Sequence, residues 1–481
     1  MQVPYDSILG AYAPRMEWAA NSNELIVQHL NRKQNETRLL LCNAATGTAR
    51  TIYTEQDSAW LDMVGLWDFD YWYGGWDWLN NGAEFLWASE KGGWRHLYRI
   101  SRDGKKERLI TKGAFDVIDI DRIDEKGGYV YYFASPQNAT QKYLYCSKLD
   151  GNGAAERVTP KNQVGTHSYT IAPGARFAYH TFTNYYTPPA SEWISLPDHK
   201  GLNGEEVVQE ALAKSDKSNV PAQFFTIKTA EGVEMDAWMV KPQNFDSTKK
   251  YPLLFYVYTE PWGQEVKDIF GVTNNFLYQG DLAKDGYFYI AIDNRGTPVP
   301  KGRSWRKSIY RKIGLLNISD QAAAAREIFK WPYIDTSRIA VWGWSGGGSA
   351  TLNLMFKYPE LYKTGIAIAA AGNVLTYDNI YEERYMGLPQ KNRADFVNGS
   401  PITHAKNLRG NLLYIHGTGD DNVHYSNAEM LLNELIKHNK QFQFMPYPNR
   451  THSISEGEGT LQHLATLYTN YLKQHCPPGA R

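Results

Sequence analysis

The sequence predicts a chain in two parts, all-β first and α/β second, and three observations carry that expectation. Short aromatic runs separated by polar turns recur through the first part with little helical periodicity. From Pro221 onward, apolar runs alternate with amphipathic stretches of helical period. Within this second part, Gly343-Trp344-Ser345-Gly346-Gly347 lies between a β-branched run and a helix-like one.

The first part is repetitive. Glu24-Leu25-Ile26-Val27 is followed by Arg38-Leu39-Leu40-Leu41, Glu84-Phe85-Leu86-Trp87 by His96-Leu97-Tyr98-Arg99, and Tyr129-Val130-Tyr131-Tyr132 by Tyr143-Leu144-Tyr145. A fourth, more degenerate copy is Arg176-Phe177-Ala178-Tyr179 with Glu192-Trp193-Ile194. Units open on turns such as Asn80-Asn81-Gly82 and Glu125-Lys126-Gly127-Gly128, and they recur at about the forty-to-fifty-residue spacing of propeller blades. A partial β-propeller of about four blades is expected over residues 1–215, with a β-sandwich as the alternative.

The second part, residues 216–477 with a tail at 478–481, reads as a doubly wound sheet. Phe224-Phe225-Thr226-Ile227-Lys228 and Asp236-Ala237-Trp238-Met239-Val240 form an opening hairpin. Leu253–Tyr258, Tyr287–Ile292, Ile339–Trp342 and Gly365–Ala369 are expected as central parallel strands, with Asp320–Phe329 and Asn427–Ile436 as helices. Such alternation places chemistry at the carboxyl ends of the strands.

Ser345 is at the apex of a strand, a tight turn and a helix. A nucleophile elbow needs glycines beside it, because its torsions and its close backbone approaches leave no room for Cβ atoms. A Gly-x-Ser-x-Gly string arises by chance in about one chain in ten of this length. Here its position between strand and helix, and the acid and base that follow in order, argue for function. Asn411-Leu412-Leu413-Tyr414-Ile415 reads as a buried strand, and the loop His416-Gly417-Thr418-Gly419-Asp420-Asp421-Asn422 follows it. Asp420 is the expected acid, with Asp421 beside it. After the strand-like Phe442–Tyr447, the loop Pro448-Asn449-Arg450-Thr451-His452 supplies His452 as base. The order Ser, Asp, His is that of α/β-hydrolases: His452 takes the Ser345 proton, and Asp420 fixes the imidazole tautomer. His416 is expected to pack or hydrogen-bond at its strand end, and His424 is too close to Asp420 along the chain to be its partner.

Composition narrows the partners. The 481 residues contain 51 Lys plus Arg and 51 Asp plus Glu, a formal net charge of zero with no polybasic run. That excludes nucleic acid and anionic membrane surfaces as expected partners. Cys42, Cys146 and Cys476 are far apart and show no CxxC spacing, so neither a disulfide framework nor a metal site is expected, and no cofactor is implied. No stretch approaches an apolar membrane span, and Met1–Asp6 lack the parts of a signal peptide, which leaves the compartment open.

Three stretches of this sequence resemble a known family. Gly343-Trp344-Ser345, Glu383-Arg384-Tyr385-Met386-Gly387-Leu388-Pro389 and His416–His424 closely resemble the prolyl oligopeptidase family, in its dipeptidyl peptidase IV branch. The resemblance spans essentially the whole chain and is most specific over 222–475. It implies a serine peptidase that takes short peptides and releases dipeptides with Pro or Ala at the second position, and it allows a homodimer. By position it implies that Tyr258 and the backbone N–H of Gly346 form the oxyanion hole. Tyr377 and Tyr381 match the proline-pocket aromatics, Val423 adds an apolar wall, and Asn422 matches the residue that holds a substrate carbonyl.

Three departures qualify the resemblance. Residue 346 is glycine where better-known members have a pocket-lining tyrosine, and Val374 stands where a tryptophan is common, so a wider pocket is expected. The family's acidic pair that grips the substrate ammonium lies upstream of anything in this chain, which reads as an amino-terminally shortened member. Glu205-Glu206 is expected to be a solvated face and Glu382-Glu383 a structural pair on a helix. A tripeptidyl or acylaminoacyl peptidase, an esterase, and a catalytically silent interaction protein are the alternative readings.

Overall fold

The computed structural model describes residues 11–62 and 77–481. The Met1–Asp6 segment lies outside these. The chain forms two compact units. The first comprises the residues up to Asp216 together with Lys267–Phe270 and Val299–Lys307, and the second the remainder. Two segments that the linear division assigns to the second part therefore pack within the first.

Among the described residues, the first unit contains four antiparallel four-stranded sheets, each a meander in sequence order. They are Ala11–Trp18, Glu24–Asn31, Glu36–Asn43 and Ala49–Gln56; Trp78–Leu79, Glu84–Ser89, His96–Ser101 and Glu107–Leu109; Val117–Asp124, Tyr129–Ala134, Tyr143–Lys148 and Glu156–Arg157; and Thr166–Ile171, Phe177–Asn184, Thr187–Ser195 and Lys200–Gly201. These are the propeller blades, and the paired aromatic runs of the sequence are the second and third strands of each. Neighbouring blades share cores: Ile26, Leu39 and Leu41 of the first sheet join Phe85, Trp87 and Ile100 of the second. The turn Asn80-Asn81-Gly82 has φ of 50°, 53° and 83°, left-handed values that Asn and Gly tolerate best.

A charged cluster is also buried in this unit. Arg306, 4% exposed, donates from Nε to Glu90 Oε1 at 2.9 Å and from Nη1 to Asp116 Oδ2 at 2.7 Å. Lys307 Nζ lies 2.8 Å from Glu90 Oε2 and 3.0 Å from Asp57 Oδ2.

The second unit is built on one eight-stranded sheet. Its strands are β1 (Ala222–Lys228), β2 (Glu234–Val240), β3 (Tyr251–Tyr256), β4 (Phe288–Ile292), β5 (Ile334–Trp344), β6 (Thr364–Ile368), β7 (Asn411–Gly417) and β8 (Gln443–Tyr447). Their spatial order is β1-β2-β4-β3-β5-β6-β7-β8. β1 and β2 pair antiparallel, as does β2 with β4, and the other neighbours are parallel. All residues of β4 and β6 are buried, as a parallel sheet covered on both faces requires. The helices that concern the site are α1 (Leu316–Ile328), α2 (Gly346–Lys357), α3 (Asn379–Met386), α4 (Pro389–Gly399), α5 (Ser426–Lys437) and α6 (Thr460–His475). Among the described residues, no helix is long and apolar enough to cross a membrane.

Candidate active site

Ser345 joins β5 to α2 with φ 57° and ψ −119°, a region that a side chain normally avoids. The surroundings hold it there. A Cβ on Gly343 would meet the Val257 carbonyl oxygen at 2.4 Å, and one on Gly347 would meet it at 2.1 Å. Ser345 N–H donates to the Ile368 carbonyl at 2.9 Å, and Ser349 N–H to the Ser345 carbonyl at 3.0 Å. This is the strained elbow expected from the sequence, with Gly346 as the first residue of a helix whose leading N–H groups have no intrahelical partner.

β7 ends in the loop that carries Asp420, and β8 ends in the loop that carries His452. His452 Nδ1 lies 2.9 Å from Asp420 Oδ2 and 3.1 Å from Oδ1. Asp420 Oδ1 also accepts from the backbone N–H of Asn422 at 3.0 Å and of Val423 at 2.8 Å. Buried His416 lies 3.2 Å from Asp420 Oδ2 and donates from Nε2 to the Val423 carbonyl at 2.8 Å, which explains its place at the strand end. Burial alone would raise the Asp420 carboxyl, but the bonds from His416, His452 and Asn422 hold it well below the usual carboxylate range. The other imidazole nitrogen, His452 Nε2, is shielded from solvent and has no hydrogen-bond partner among the described residues, Ser345 Oγ included. Trp344 Nε1 donates to the His452 carbonyl at 3.0 Å, tying this loop to the strand that delivers Ser345. Asp421 is exposed and accepts only from the His452 backbone N–H, at 3.3 Å.

The remaining expected residues gather on one side of the elbow. Tyr377 Oη donates to Asn422 Oδ1 at 2.7 Å, and the Tyr377 and Tyr381 rings meet edge to face at 5.7 Å. Val423 is 2% exposed. Tyr258 is held a protonated donor, since burial first and Glu260 second push its hydroxyl well above its ordinary value. Val374 is buried in a 3-10 turn, Val374–Thr376.

One residue in this group was not anticipated. Tyr381 Oη donates to Glu260 Oε2 at 2.5 Å. A Cβ on Gly346 would come within 2.8 Å of Glu260 Cδ and Oε2, so this side chain occupies the space directly over the Gly346 α-carbon. Part of the space that a side chain at position 346 would take is thus filled by Glu260. Burial lifts the Glu260 carboxyl to about 7, and the Tyr381 hydrogen bond only partly offsets it. Glu382, buried on α3, is raised well above its ordinary value by burial and by Glu260. The available signal was an acid two residues after Tyr258, in a sequence otherwise lined with apolar and aromatic residues. Glu205 and Glu206 are exposed.

Among the described residues, one set of metal-competent side chains converges, His180, Glu192 and His199 in the first unit. His180 is already hydrogen-bonded through both ring nitrogens, to Glu192 at 3.2 Å and to His167 at 2.8 Å.

An eight-stranded, mostly parallel sheet with a serine elbow after its fifth strand and an Asp–His pair on its last two loops defines an α/β-hydrolase. Comparison with known proteins then gives the family. Residues 276–477 match the prolyl oligopeptidase family, and residues 7–189 match the dipeptidyl peptidase IV (DPP IV) N-terminal region. The chain belongs to the prolyl oligopeptidase family. It is 32% identical over 368 residues to dipeptidyl peptidase 4 of Trichophyton equinum, which covers 74% of this chain and 46% of that protein. It is 30% identical over 469 residues to a probable dipeptidyl-aminopeptidase B of Coccidioides posadasii, covering 91% of this chain and 48% of the relative. The crystal structure of Porphyromonas gingivalis dipeptidyl peptidase 4 superposes with a TM-score of 0.86 at 30% identity, covering 98% of this chain and 65% of that one. The chain thus spans about half the length of the curated relatives it matches.

Proposed function

We propose that the chain is a serine exopeptidase that removes dipeptides with Pro or Ala at the second position from a free amino terminus. Ser345 Oγ attacks the scissile carbonyl carbon while His452 Nε2 takes its proton, and Asp420 stabilises the imidazolium through Nδ1. The developing oxyanion is met by the Gly346 N–H and the Tyr258 hydroxyl. As the C–N bond breaks, His452 returns the proton to the leaving amine, and water then repeats the sequence on the acyl-enzyme. Asn422 holds a substrate carbonyl, and Tyr377 and Tyr381 bury the second residue against flat aromatic faces.

The observation that carries this reading is the pairing of His452 with Asp420 through Nδ1, which leaves Nε2 unpartnered on a loop bonded to the residue before Ser345. The bond between nucleophile and base is commonly absent or long without substrate and forms when substrate binds. The test is labelling of Ser345 by a fluorophosphonate together with hydrolysis of a Gly-Pro chromogenic amide, both abolished in Ser345→Ala. Faster turnover of N-blocked than of free-amine substrates overturns the exopeptidase assignment. A homodimer, implied by the resemblance, is tested by sedimentation of the same sample.

A further inference from the structure

The reacting carbonyl of any substrate must sit over Ser345, and the first side chain on its acyl side begins one carbon away. Groups beside Gly346, the next residue in the chain, lie within reach of this P1 side chain. Consecutive α-carbons are about 3.8 Å apart, so such groups are met within a short side chain's length. In this protein that position is filled by a carboxyl group. Glu260 Cδ and Oε2 lie 2.8 Å, and Cγ 3.2 Å, from where a Gly346 Cβ would stand.

Three further observations describe this carboxyl. It is fixed from one side by Tyr381, whose hydroxyl reaches Oε2 at 2.5 Å and whose ring packs edge to face on Tyr385 at 4.8 Å. It is half-buried rather than sealed, as are Ser345 and Gly346 beside it. Oε2 can accept one bond from Tyr381 and still has lone-pair capacity, as does Oε1, so the group is under-used as it stands. A half-buried carboxyl with spare acceptor capacity beside aromatic side chains is open to a ligand that brings a donor.

We infer that Glu260 is a specificity-determining residue of the pocket beside Ser345, and that it favours short P1 side chains bearing a hydroxyl, 4-hydroxyproline and serine, over the same skeletons without one. Long basic side chains do not suit the position, because the acceptor lies next to the nucleophile rather than at the end of a deep slot. The proposal rests on the serine-peptidase reading above and adds the identity of its P1 residue. A carboxyl that burial lifts to about 7 is near half-protonated at neutral pH, so it can accept from or donate to a hydroxyl.

The experiment compares kcat/KM for Gly-(4-hydroxyproline) and Gly-Pro p-nitroanilides in the full chain, in Glu260→Gln and in Glu260→Ala. The wild-type ratio is expected to favour the hydroxylated substrate at least ten-fold. Glu260→Gln, which keeps an acceptor, is expected to retain part of it, and Glu260→Ala to lose it through KM for the hydroxylated substrate. A circular dichroism spectrum and thermal midpoint matching wild type certify that each variant is folded. Calorimetric binding of pyrrolidine and 3-hydroxypyrrolidine glycinamides to Ser345→Ala supplies a readout that needs no turnover. Normal labelling and turnover with equal ratios in wild type and Glu260→Ala overturns the inference and leaves the peptidase reading standing. Failure of labelling and turnover, with the binding preference intact, sinks the peptidase reading and keeps the pocket assignment. Loss of both, with no binding preference, overturns the two together.

Discussion

Replacing Arg306 by methionine removes the centre of the buried charge cluster in the first unit while keeping much of the side-chain volume. The guanidinium is 4% exposed and bonds both Glu90, 4% exposed, and Asp116, 1% exposed. Removing one partner of a buried ion pair costs about 3–5 kcal/mol, because the carboxylates stay buried and lose their counter-charge. Lys307 still faces Glu90, and the Arg95 backbone N–H still reaches Asp116 Oδ1 at 2.7 Å, which places the expected loss near the lower end, about 3 kcal/mol. For a unit of this size that lowers Tm by about 6–12 °C. The pH dependence checks the cause. In the wild type burial raises both carboxyls, but Arg306 holds Glu90 and Asp116 below their ordinary values, so their contribution is present above about pH 4.5 and lost as pH falls. In Arg306→Met burial dominates and Asp116 titrates upward, so the variant gains stability on acidification and the gap to wild type narrows from pH 8 to pH 5. Thermal unfolding followed by circular dichroism at both pH values measures this. A loss below about 1 kcal/mol, or a gap that does not change with pH, refutes the reasoning.

Three further outcomes are expected. Asp420→Asn keeps the loop but not the proton-acceptor pairing with His452 Nδ1, and kcat should fall by about 10⁴-fold with little change in KM, read with a chromogenic dipeptide amide. Gly347→Ala places a Cβ 2.1 Å from the Val257 carbonyl, and should abolish fluorophosphonate labelling while Gly128→Ala, in the first unit, leaves it intact. Glu260 is raised from its ordinary 4.5 to about 7 in the folded protein, so folding loses stability as pH rises through that window, at most about 3 kcal/mol. Glu260→Gln should flatten this part of the stability profile, and urea titrations between pH 4.5 and 8 would show an unchanged slope if the carboxyl is not the cause.

Much of the architecture was legible because it is written in local periodicity. The aromatic doublets such as Glu84–Trp87 and His96–Arg99 are adjacent antiparallel strands, and their alternation reports one buried face per strand. The apolar runs of the second part became β3 to β7, and Ser345 announced itself because its glycines are needed for contacts within a few residues and with the next strand. Asp420 and His452 could be chosen because strand ends put loops at one edge of the sheet.

Local pattern alone therefore gives the succession of elements and the three loops that carry Ser345, Asp420 and His452, since periods of two and 3.6 residues and turn chemistry are local properties. It is long-range packing that sets Glu260 over Gly346 and against Tyr381, 121 positions away, and that puts Val299–Lys307 in the first unit to neutralise Glu90 and Asp116. Such pairings join residues with no shared period or motif. They follow from which surfaces the folded backbone brings together and from the cost of leaving a buried charge or an empty space unfilled.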